Sequence, residues 1–399
     1  MKTNVAVFFG CRSVEHEVSI ISAVQAMRAV NREKYDVTPV YVTKDGSMYT
    51  GDALFEIENF RDIPALLKQT HPVTFIRENG RAVMRFLDNR TFKKNPDREI
   101  DVCFPVVHGT NCEDGTMAGL FEFLGVPYVG CDIISAAVGM DKKVFKDVLK
   151  AHGLPVLDCV CFTSREYRLE KETVFEKIKT EIGFPLIIKP VNLGSSVGIS
   201  KVETESELEE AADLAVSFSD TVLAEKAVSN LREINCSVLG DRDECSASVC
   251  EEPFMTDRIL SYADKYEGGK GGKQDGPSKG MASLGRKIPA DITKKKAVEI
   301  ADLSCRIFKA IGASGVVRID YLMDGKTGDV YANEINTIPG SLAFYLWEAT
   351  GLKYSDMIDH LIELAFKRER KRENLTYTID TNILSGVSFG SKGAKGGKF

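Results

Sequence analysis

The segment NVAVFFG at residues 4–10 is an uninterrupted apolar run that ends in glycine, and a stretch with helical spacing of apolar residues follows it. Similar apolar runs recur at 37–43 and 100–109. Strands that are apolar on both faces and alternate with helices are typical of a parallel sheet covered by helices. We therefore predict an N-terminal α/β domain with a parallel sheet. The weakly periodic stretch 51–99 is expected to form peripheral loops and short elements.

The pattern changes twice downstream of this domain. GFPLIIKPVNLGSSVGISKV indicates a strand, a glycine-rich loop and a second strand, and a helix is expected to follow it; VLAEKAV then opens a third part. A length of 399 residues favours two or three domains. We predict boundaries near residues 130 and 223, which gives domains at 1–130, 131–223 and 224–366. The glycine- and lysine-rich tail at 367–399 is expected to be disordered or loosely docked.

Composition excludes several classes of function. A formal net charge of -6 gives the chain no general attraction to nucleic acid. No apolar stretch approaches the roughly 18 residues that a membrane helix requires, and the N-terminus lacks a secretory signal, so we expect a cytoplasmic protein without a membrane partner. The ten cysteines and five histidines are scattered. Reduced core thiols are therefore expected, and a structural zinc site is not.

The segment ANEINT places Glu334 and Asn336 two residues apart in an expected strand, so both side chains should lie on one face. Asp320, on the preceding strand, can project beside them. Two carboxylates and a carboxamide form a hard oxygen set that suits Mg²⁺. Arg318 shares the face of Asp320 and could stabilise an oxyanion or a transferring phosphoryl group. The alternative is that these are ordinary polar groups at strand ends.

Three loops could contribute to the same site. GSSVG at 194–198 follows a strand that ends at Lys189 and Pro190, and its small residues would let backbone amides approach phosphate, although it does not match a P-loop. His108 and Glu15 each follow an apolar strand, and loops at the ends of parallel strands open onto one edge of the sheet. A flexible hairpin, a hydrogen-bonded loop histidine and a helix-start charge remain the alternatives.

Taken in order, eight motifs resemble those of the D-alanine:D-alanine ligase family of the ATP-grasp superfamily. They extend from residue 5 to about residue 365 and are GCRSVEHEVS, HGTNCEDGTMAGLFEFLGVPYVG, MDKKVFK, GFPLIIKPVNLGSSVGISKV, VLAEKAV, ADKY, GVVRID and NEINTIPG. The resemblance implies a Rossmann-like N-terminal substrate domain (the pre-ATP-grasp domain). A two-lobed ATP-grasp fold would follow, with a small lobe at 131–223, a large lobe at 224–366 and ATP between them.

The resemblance also implies roles for residues on the nucleotide side. Phosphate contacts would come from three lysines, Lys142, Lys189 and Lys265. The adenosine would be bound by Glu225, Lys226, Val228 and, at the ribose, Glu233. Two Mg²⁺ or Mn²⁺ ions would be held by Asp320, Glu334 and Asn336. ATP and a divalent metal are therefore the implied cofactors.

On the substrate side, the resemblance implies that Glu15 holds the ammonium group of the first amino acid within a hydrogen-bonded set that includes Ser195 and Tyr266. His108 would lie near the same substrate. The tetrahedral oxyanion would be stabilised by Arg318 and the backbone amide of Gly340. The lysine-rich loop at 267–280 is expected to close as a lid, with Lys270, Lys273 or Lys279 reaching phosphate; a solvated loop is the alternative.

The implied activity is ATP-dependent ligation of two D-alanines through an acyl phosphate, for peptidoglycan and cell-wall synthesis, in a homodimer. The chain departs from the family pattern where the acceptor carboxylate should bind: a threonine and a serine–leucine pair are replaced by Leu342, Tyr345 and Leu346, and Glu348 replaces a proline. The resemblance implies that Tyr266 favours an amine acceptor. The alternatives are a ligase for D-lactate, D-serine or another amino acid, and an ATP-binding regulatory protein without activity.

Overall fold

The computed structural model describes residues 2–88, 95–194, 197–253, 285–379 and 381–387. Buried apolar side chains form three main clusters, one against each of three sheets. The mixed α/β and α+β class predicted from the sequence is confirmed.

The N-terminal sheet contains seven strands in the order β6-β5-β4-β3-β2-β1-β7. These are β1 Thr3–Gly10, β2 Tyr35–Val42, β3 Met48–Thr50, β4 His71–Glu78, β5 Arg81–Phe86, β6 Arg98–Ile100 and β7 Val102–Val106. The helices of this region are α1 His16–Ala29, α2 Ile63–Leu67 and α3 Thr116–Leu124, with 3-10 turns at Asp52–Phe55 and Ile57–Arg61. Only β2, β1 and β7 pair in parallel, and these are the apolar runs that the sequence singled out.

The expectation of loops and short elements at 51–99 is partly wrong. This stretch supplies β4, β5 and β6, which extend the sheet in antiparallel pairing. β4 and β5 form a hairpin whose turn residues Asn79 and Gly80 both have positive φ, 49° and 80°. An Asn-Gly turn of this kind matches the twist of a two-residue hairpin, so the sequence did carry a local signal for it.

The second unit is a four-stranded sheet in the order β10-β9-β11-β8. Its elements are β8 Cys159–Thr163, α6 Ser164–Glu181, β9 Leu186–Pro190, β10 Ser200–Val202, a 3-10 turn at Glu205–Glu207, α7 Leu208–Phe218 and β11 Thr221–Lys226. The predicted strand–loop–strand and the helix after it are confirmed. The sequence boundary at 223 falls inside β11, which pairs with β8 and β9. We therefore propose that this unit ends after Lys226.

The third unit is a five-stranded antiparallel sheet in the order β14-β13-β12-β15-β16. Its strands are β12 Leu231–Gly240, β13 Cys245–Pro253, β14 Arg286–Lys287, β15 Gly315–Asp324 and β16 Val330–Asn336. Alternate residues of β12 and β15, including Ile234, Cys236, Ile319 and Tyr321, are buried in one cluster with a long helix, α8 Lys294–Ala310. The opposite face of the sheet is polar and carries the site described below.

The remaining helices connect the units. They are α4 Ile133–Met140, α5 Lys142–Ala151, α9 Phe344–Thr350, which follows a 3-10 turn at Gly340–Ala343, α10 Tyr354–Glu373 and a 3-10 turn at Ile383–Gly386. α5 packs into the core of the third unit through Phe145 and Leu149, although the sequence assigned it to the second. α10 packs against the N-terminal core through residues such as Met357 and Leu361.

The start of the tail is more ordered than the sequence predicted. Helix α10 continues to Glu373, and Arg368 donates to the carbonyl oxygens of Tyr128 and of Gly130, the latter at 2.6 Å. Its guanidinium lies 3.9 Å from the centre of the Tyr128 ring, a cation–π contact. Residues 388–399 lie outside the described part of the chain. Among the helices described, none is both long and apolar enough to cross a bilayer.

Candidate active site

A row of polar side chains crosses the third sheet on the face opposite α8. The strand register aligns Glu251 of β13 with Asn235 of β12, Asn235 with Asp320 of β15, and Asp320 with Glu334 of β16. Cross-strand partners on one face lie about 5 Å apart. The register therefore places Asp320 and Glu334 side by side, as strand alternation predicts, and adds two residues that the sequence analysis did not identify.

Arg318 and Asp320 form a forked ion pair within this face. The Nε and Nη2 atoms of Arg318 each donate to one oxygen of Asp320 at 2.7 Å, and Asn336 Nδ2 donates to Asp320 Oδ2 at 3.1 Å. Burial raises the pKa of Asp320, the charge of Arg318 opposes this rise, and Glu334 adds to it. The three oxygen-bearing side chains and Arg318 are thus brought together.

A register shift between β15 and β16 lets two adjacent residues reach the cleft. The shift follows the Asp320–Glu334 pair, so Asn333 is the extra residue on β16. Asn333 Oδ1 accepts a hydrogen bond from Lys189 Nζ at 2.7 Å, and Glu334 Oε2 lies 3.1 Å from Lys142 Nζ. Lysines from the second unit and from α5 therefore meet at the strand that carries the carboxylates.

A second charged cluster lies behind these lysines. Glu225 is 1% exposed, and its carboxylate contacts Lys189 Nζ and, at 2.8 Å, Lys146 Nζ. Burial raises the pKa of Glu225, but the two lysines outweigh it and the net shift is downward. Burial also lowers the pKa of Lys146, against the pull of Glu225. The sequence did not single out Lys146, although its spacing of four residues from Lys142 puts both on one helix face.

The side chains of the four residues expected to contact adenosine do not point to one common place. The Glu225 carboxylate is directed to the two lysines, so any contact with a base there would use the backbone. Lys226 Nζ donates to the carbonyl oxygen of Phe184 at 2.7 Å, and Val228 follows the strand end, half-buried. Glu233 lies on the polar face of β12, two residues from Asn235. These four residues lie in β11, in β12 or in the segment between them, and their roles stay predictions.

The N-terminal loops reach the same place. Glu15, Gly109, Lys142, Gly194, Glu334 and Asn336 are among the residues that line one small pocket. Gly109 has φ +77°, and a Cβ there would lie 2.6 Å from Ser13 Oγ and 3.0 Å from Glu15 Oε2. Only glycine fits this close approach between the two loops. Glu15 therefore lines a pocket of the kind expected at the ends of parallel strands. The same pocket is lined by Glu334 of the polar row.

His108 is held by hydrogen bonds on both sides of its ring, and its position near the first substrate stays a prediction. Its Nδ1 lies 2.7 Å from the carbonyl oxygen of Ile338, which can only accept, so Nδ1 carries the proton. Its Nε2 lies 2.7 Å from Ser22 Oγ, and that hydroxyl accepts from the Ser341 amide at 2.9 Å. Burial lowers the pKa of His108, although Glu15 opposes this shift. The histidine is a neutral link between the N-terminal domain and the turn after β16.

Glu113 is a buried carboxyl group that the sequence analysis passed over within the motif NCEDG. It accepts hydrogen bonds from the backbone amides of Gly109 and Ile338, both at 2.7 Å. Burial, with a further contribution from the charge of Glu15, raises the pKa of Glu113 to about 8, against the effect of the two amides. Like His108, it joins the histidine loop to the turn after β16.

The raised pKa of Glu113 predicts a specific dependence of stability on pH. A carboxyl group with a raised folded-state pKa stabilises the fold fully below its unfolded pKa of about 4.3, and this contribution is lost as pH rises to about 8. The unfolding free energy of the wild type, minus that of Glu113→Gln, should therefore fall by about 1.4 kcal/mol per pH unit in this window. Urea unfolding at pH 5, 6, 7 and 8 measures it; parallel pH profiles would contradict the assignment.

The turn after β16 is unusual. Ser341, Leu342 and Ala343 have consecutive positive φ angles of 52°, 53° and 51°. Leu342 and Leu346 are buried, and the hydroxyl of Tyr345 donates to Glu251 Oε1 at 3.1 Å. The Tyr345 ring also lies beneath the guanidinium of Arg286, 4.4 Å from the ring centre. Gly340 begins this turn, next to the loop that His108 and Glu113 hold.

Several predicted residues cannot be placed. Ser195, Lys265, Tyr266 and the expected lid at 267–280, with its three lysines, lie outside the described residues.

The donor set fits a hard divalent cation. In the part of the chain that the structure describes, no group of three or more His, Cys, Asp or Glu side chains forms a preformed metal cluster. Asp320, Glu334 and Asn336 instead offer two carboxylates and one carboxamide, which are oxygen donors suited to Mg²⁺. Arg318 and Lys142 neutralise the two carboxylates in this structure. All ten cysteines lie among the described residues, and each is a free thiol.

Comparison with known proteins gives matches over nearly the whole chain. The family models described as "D-ala D-ala ligase N-terminus" and "D-ala D-ala ligase C-terminus" match residues 4–131 and 148–363. A D-alanine--D-alanine ligase of Thermosipho melanesiensis is 38% identical, over 96% of this chain and 98% of its own length. One from Bacillus velezensis is 36% identical, over 93% of this chain and 100% of its own.

Solved structures agree with these matches. A D-alanine-D-alanine ligase from Coxiella burnetii has a TM-score of 0.77 and 29% identity, over 93% of this chain and 96% of that one. The VanG D-Ala:D-Ser ligase from Enterococcus faecalis has a TM-score of 0.76 and 30% identity, over 92% of this chain and 100% of that one.

Proposed function

This chain belongs to the D-alanine–D-alanine ligase family, and we propose that it joins two D-alanine molecules, using ATP, in the cleft between the second and third units. It is an ATP-dependent D-alanine–D-alanine ligase with an ATP-grasp fold, and its product serves peptidoglycan and cell-wall synthesis. The observation that carries the site assignment is the meeting of Lys142 and Lys189 with Asn333 and Glu334. It supports a site in which these two lysines would bind phosphate beside oxygen atoms that would bind a divalent metal.

The chemistry requires an activated carboxylate. An amine does not displace oxide from a carboxylate, so a carboxylate oxygen of the first D-alanine attacks the γ-phosphorus of ATP and ADP leaves. The amine of the second D-alanine then attacks the carbonyl carbon of this acyl phosphate. The tetrahedral intermediate collapses: the carbon–oxygen bond to phosphate breaks, the nitrogen loses one proton, and inorganic phosphate departs and can take up that proton. Negative charge thus accumulates at the phosphoryl group first and at the carbonyl oxygen second.

The chain's own residues fit these two demands. Lys142 and Lys189 would hold the phosphates, and their present partners Glu334 and Asn333 keep both ammonium groups at the cleft. Arg318 and the Gly340 amide would face the developing oxyanion, where fixed donors lower the barrier most. Glu15 would receive the ammonium group of the first D-alanine at the pocket that it shares with Gly194. Lys265, Ser195 and Tyr266 would complete this set.

Asp320, Glu334 and Asn336 would hold the divalent metal, for which the family resemblance implies two ions. A bound Mg²⁺ would neutralise phosphate charge and orient the γ-phosphate. The adenosine would be bound by four residues, Glu225, Lys226, Val228 and Glu233.

The choice of acceptor is addressed by the relatives. The curated relatives described above carry D-alanine–D-alanine ligase names, and the alternatives of D-lactate, D-serine, another amino acid or an inactive regulatory protein are not favoured. The similar TM-scores of a D-Ala-D-Ala and a D-Ala:D-Ser ligase indicate that overall fold does not select the acceptor. Local chemistry at Tyr345 and Leu346 would do so.

The function is tested by product formation. Purified protein with ATP, Mg²⁺ and D-alanine should release one phosphate for each D-alanyl-D-alanine formed, with L-alanine giving neither. Adding D-lactate or D-serine should not be needed for turnover. Phosphate release only in the presence of such a second acceptor, or no release at all, would contradict the proposed function.

Three further proposals accompany this function. We propose that the three units act as an N-terminal substrate domain and two ATP-grasp lobes, and that the enzyme works in the cytoplasm, where ATP is available. A homodimer is proposed from the family resemblance, and light scattering coupled to size exclusion would measure it.

A further inference from the structure

We propose that Arg286 binds the carboxylate of the acceptor D-alanine, and that Glu251 and Tyr345 hold its guanidinium in place. This inference rests on the proposed ligase function and assigns the acceptor subsite of the same cleft. Neither Arg286 nor Glu251 was singled out by the sequence motifs. Together they replace the serine–leucine pair that the family resemblance leads one to expect and that this chain lacks.

The position of Glu251 is the first support. Glu251 is the outer member of the polar row that contains Asn235, Asp320 and Glu334. It lies two strands from Asp320, or roughly 10 Å at the spacing of adjacent strands. Asp320, in the same row, accepts two hydrogen bonds of 2.7 Å from Arg318, the proposed oxyanion donor. The network is therefore continuous with the reacting end of the cleft.

The direction of the hydrogen bonds is the second support. Glu251 Oε2 is ion-paired with Arg286 Nη1 at 2.8 Å, while Oε1 accepts from Asn235 Nδ2 and from Tyr345 Oη, both at 3.1 Å. An ionised carboxylate only accepts, so the Tyr345 proton is committed to Glu251. In this arrangement the Tyr345 hydroxyl does not donate to a substrate carboxylate. It therefore does not take over the hydrogen bond that the family's serine would donate.

The chemistry of Arg286 is the third support. Its guanidinium stacks 4.4 Å from the Tyr345 ring centre and is fixed by Glu251 on one side. A planar guanidinium fork matches the geometry of a carboxylate, and a fixed fork loses less entropy on binding than a free one. The stacked, ion-paired arrangement thus presents a preorganised cation at the position of the missing serine–leucine pair.

The neighbouring strand positions provide a matched control. Glu252 is paired with Arg232 through two hydrogen bonds of 2.7 Å, and strand alternation puts this pair on the α8 side of the sheet. Arg232→Gln therefore removes an arginine–glutamate pair of the same kind from the face that does not line the cleft.

The experiment is a competition between two acceptors in one reaction. The full chain is given ATP, Mg²⁺, D-alanine and D-alaninamide, and mass spectrometry measures the ratio of D-alanyl-D-alanine to D-alanyl-D-alaninamide. The ratio is independent of the fraction of active enzyme, so a purely structural defect does not change it. D-Alaninamide lacks the carboxylate that Arg286 would bind, so Arg286→Gln should lower the wild-type ratio by about tenfold or more. Arg232→Gln should leave it unchanged.

Two conservative variants make the test independent of how Arg286→Gln folds. Tyr345→Phe keeps the ring under the guanidinium and should retain the preference for D-alanine, whereas Arg286→Lys keeps the charge but loses the fork and should reduce it. The proposal is overturned if Arg286→Gln and Arg286→Lys keep the wild-type ratio, or if Tyr345→Phe lowers the ratio more than Arg286→Lys does. If the wild type forms no dipeptide, the proposed ligase function is overturned as well. If the wild type forms the dipeptide but the variants do not behave as expected, only the assignment of Arg286 is wrong.

Discussion

Glu334→Gln is expected to lower turnover by about three orders of magnitude, or ~4 kcal/mol in activation free energy. The substitution removes the negative charge of Glu334, which is one of the oxygen donors proposed to bind the metal. It also leaves Lys142 without the carboxylate that lies 3.1 Å from its Nζ. The fold should tolerate the change, because the Glu334 side chain is 27% exposed and Lys142 Nζ still donates to the carbonyl oxygen of Leu193 at 2.7 Å.

Asp324→Asn is the control for this prediction. Asp324 lies at the far end of β15, where its side chain accepts from the amides of Lys326 and Thr327 in the turn to β16. The two substitutions change the net charge equally and in the same hairpin. Phosphate release at saturating ATP and D-alanine should be lost only for Glu334→Gln. Comparable turnover in both variants would remove the metal assignment.

Glu225→Gln is expected to destabilise the protein by about 3–5 kcal/mol, because it leaves two buried cations without their shared counter-charge. Lys146 is 1% exposed and Lys189 is 3% exposed, and both contact the Glu225 carboxylate. Adding Lys146→Met to this variant should recover part of the loss, since it removes one of the unpaired charges. The unfolding free energy in urea, measured without nucleotide, tests both changes.

Glu176→Gln is the comparison for the buried cluster. Glu176 pairs with Lys179 within α6, and its side chain is 65% exposed, so the loss should be below about 1 kcal/mol. If Glu225→Gln costs no more than this exposed variant, the contacts of Glu225 with Lys146 of α5 and Lys189 of β9 do not stabilise the fold as expected.

The parts of the fold that the sequence predicted have strong local signals. The apolar runs that became β1, β2 and β7 are buried on both faces, and the alternation in β15 and β16 put Arg318, Asp320, Glu334 and Asn336 on one face. The hairpin of β4 and β5 has no long apolar run. Its signals are an alternating pattern and an Asn-Gly turn, which are weaker than the runs of β1, β2 and β7. The helical start of the tail was missed because its composition is polar, whereas Arg368 is held by distant carbonyl groups.

The parts of the site that the sequence did not predict depend on long-range contacts. Glu251 and Arg286 are separated by 35 residues, and the pairing of β13 with β14, together with the position of α9, brings them to Tyr345. The link from His108 to Ile338 spans 230 residues. A sequence motif identifies the histidine, but the tautomer and the hydrogen-bond partners of that histidine depend on the folded structure.

The most direct test of the account is an isotope-transfer measurement. D-Alanine labelled with ¹⁸O in both carboxylate oxygens is supplied with ATP and Mg²⁺, and the released phosphate is analysed by mass spectrometry. Because the account requires a carboxylate oxygen to attack the γ-phosphorus and leave with it, each phosphate released should carry one ¹⁸O. Unlabelled phosphate accompanying dipeptide formation, or label recovered in AMP, would contradict the acyl-phosphate chemistry on which the assigned roles of Lys142, Lys189 and Arg318 depend.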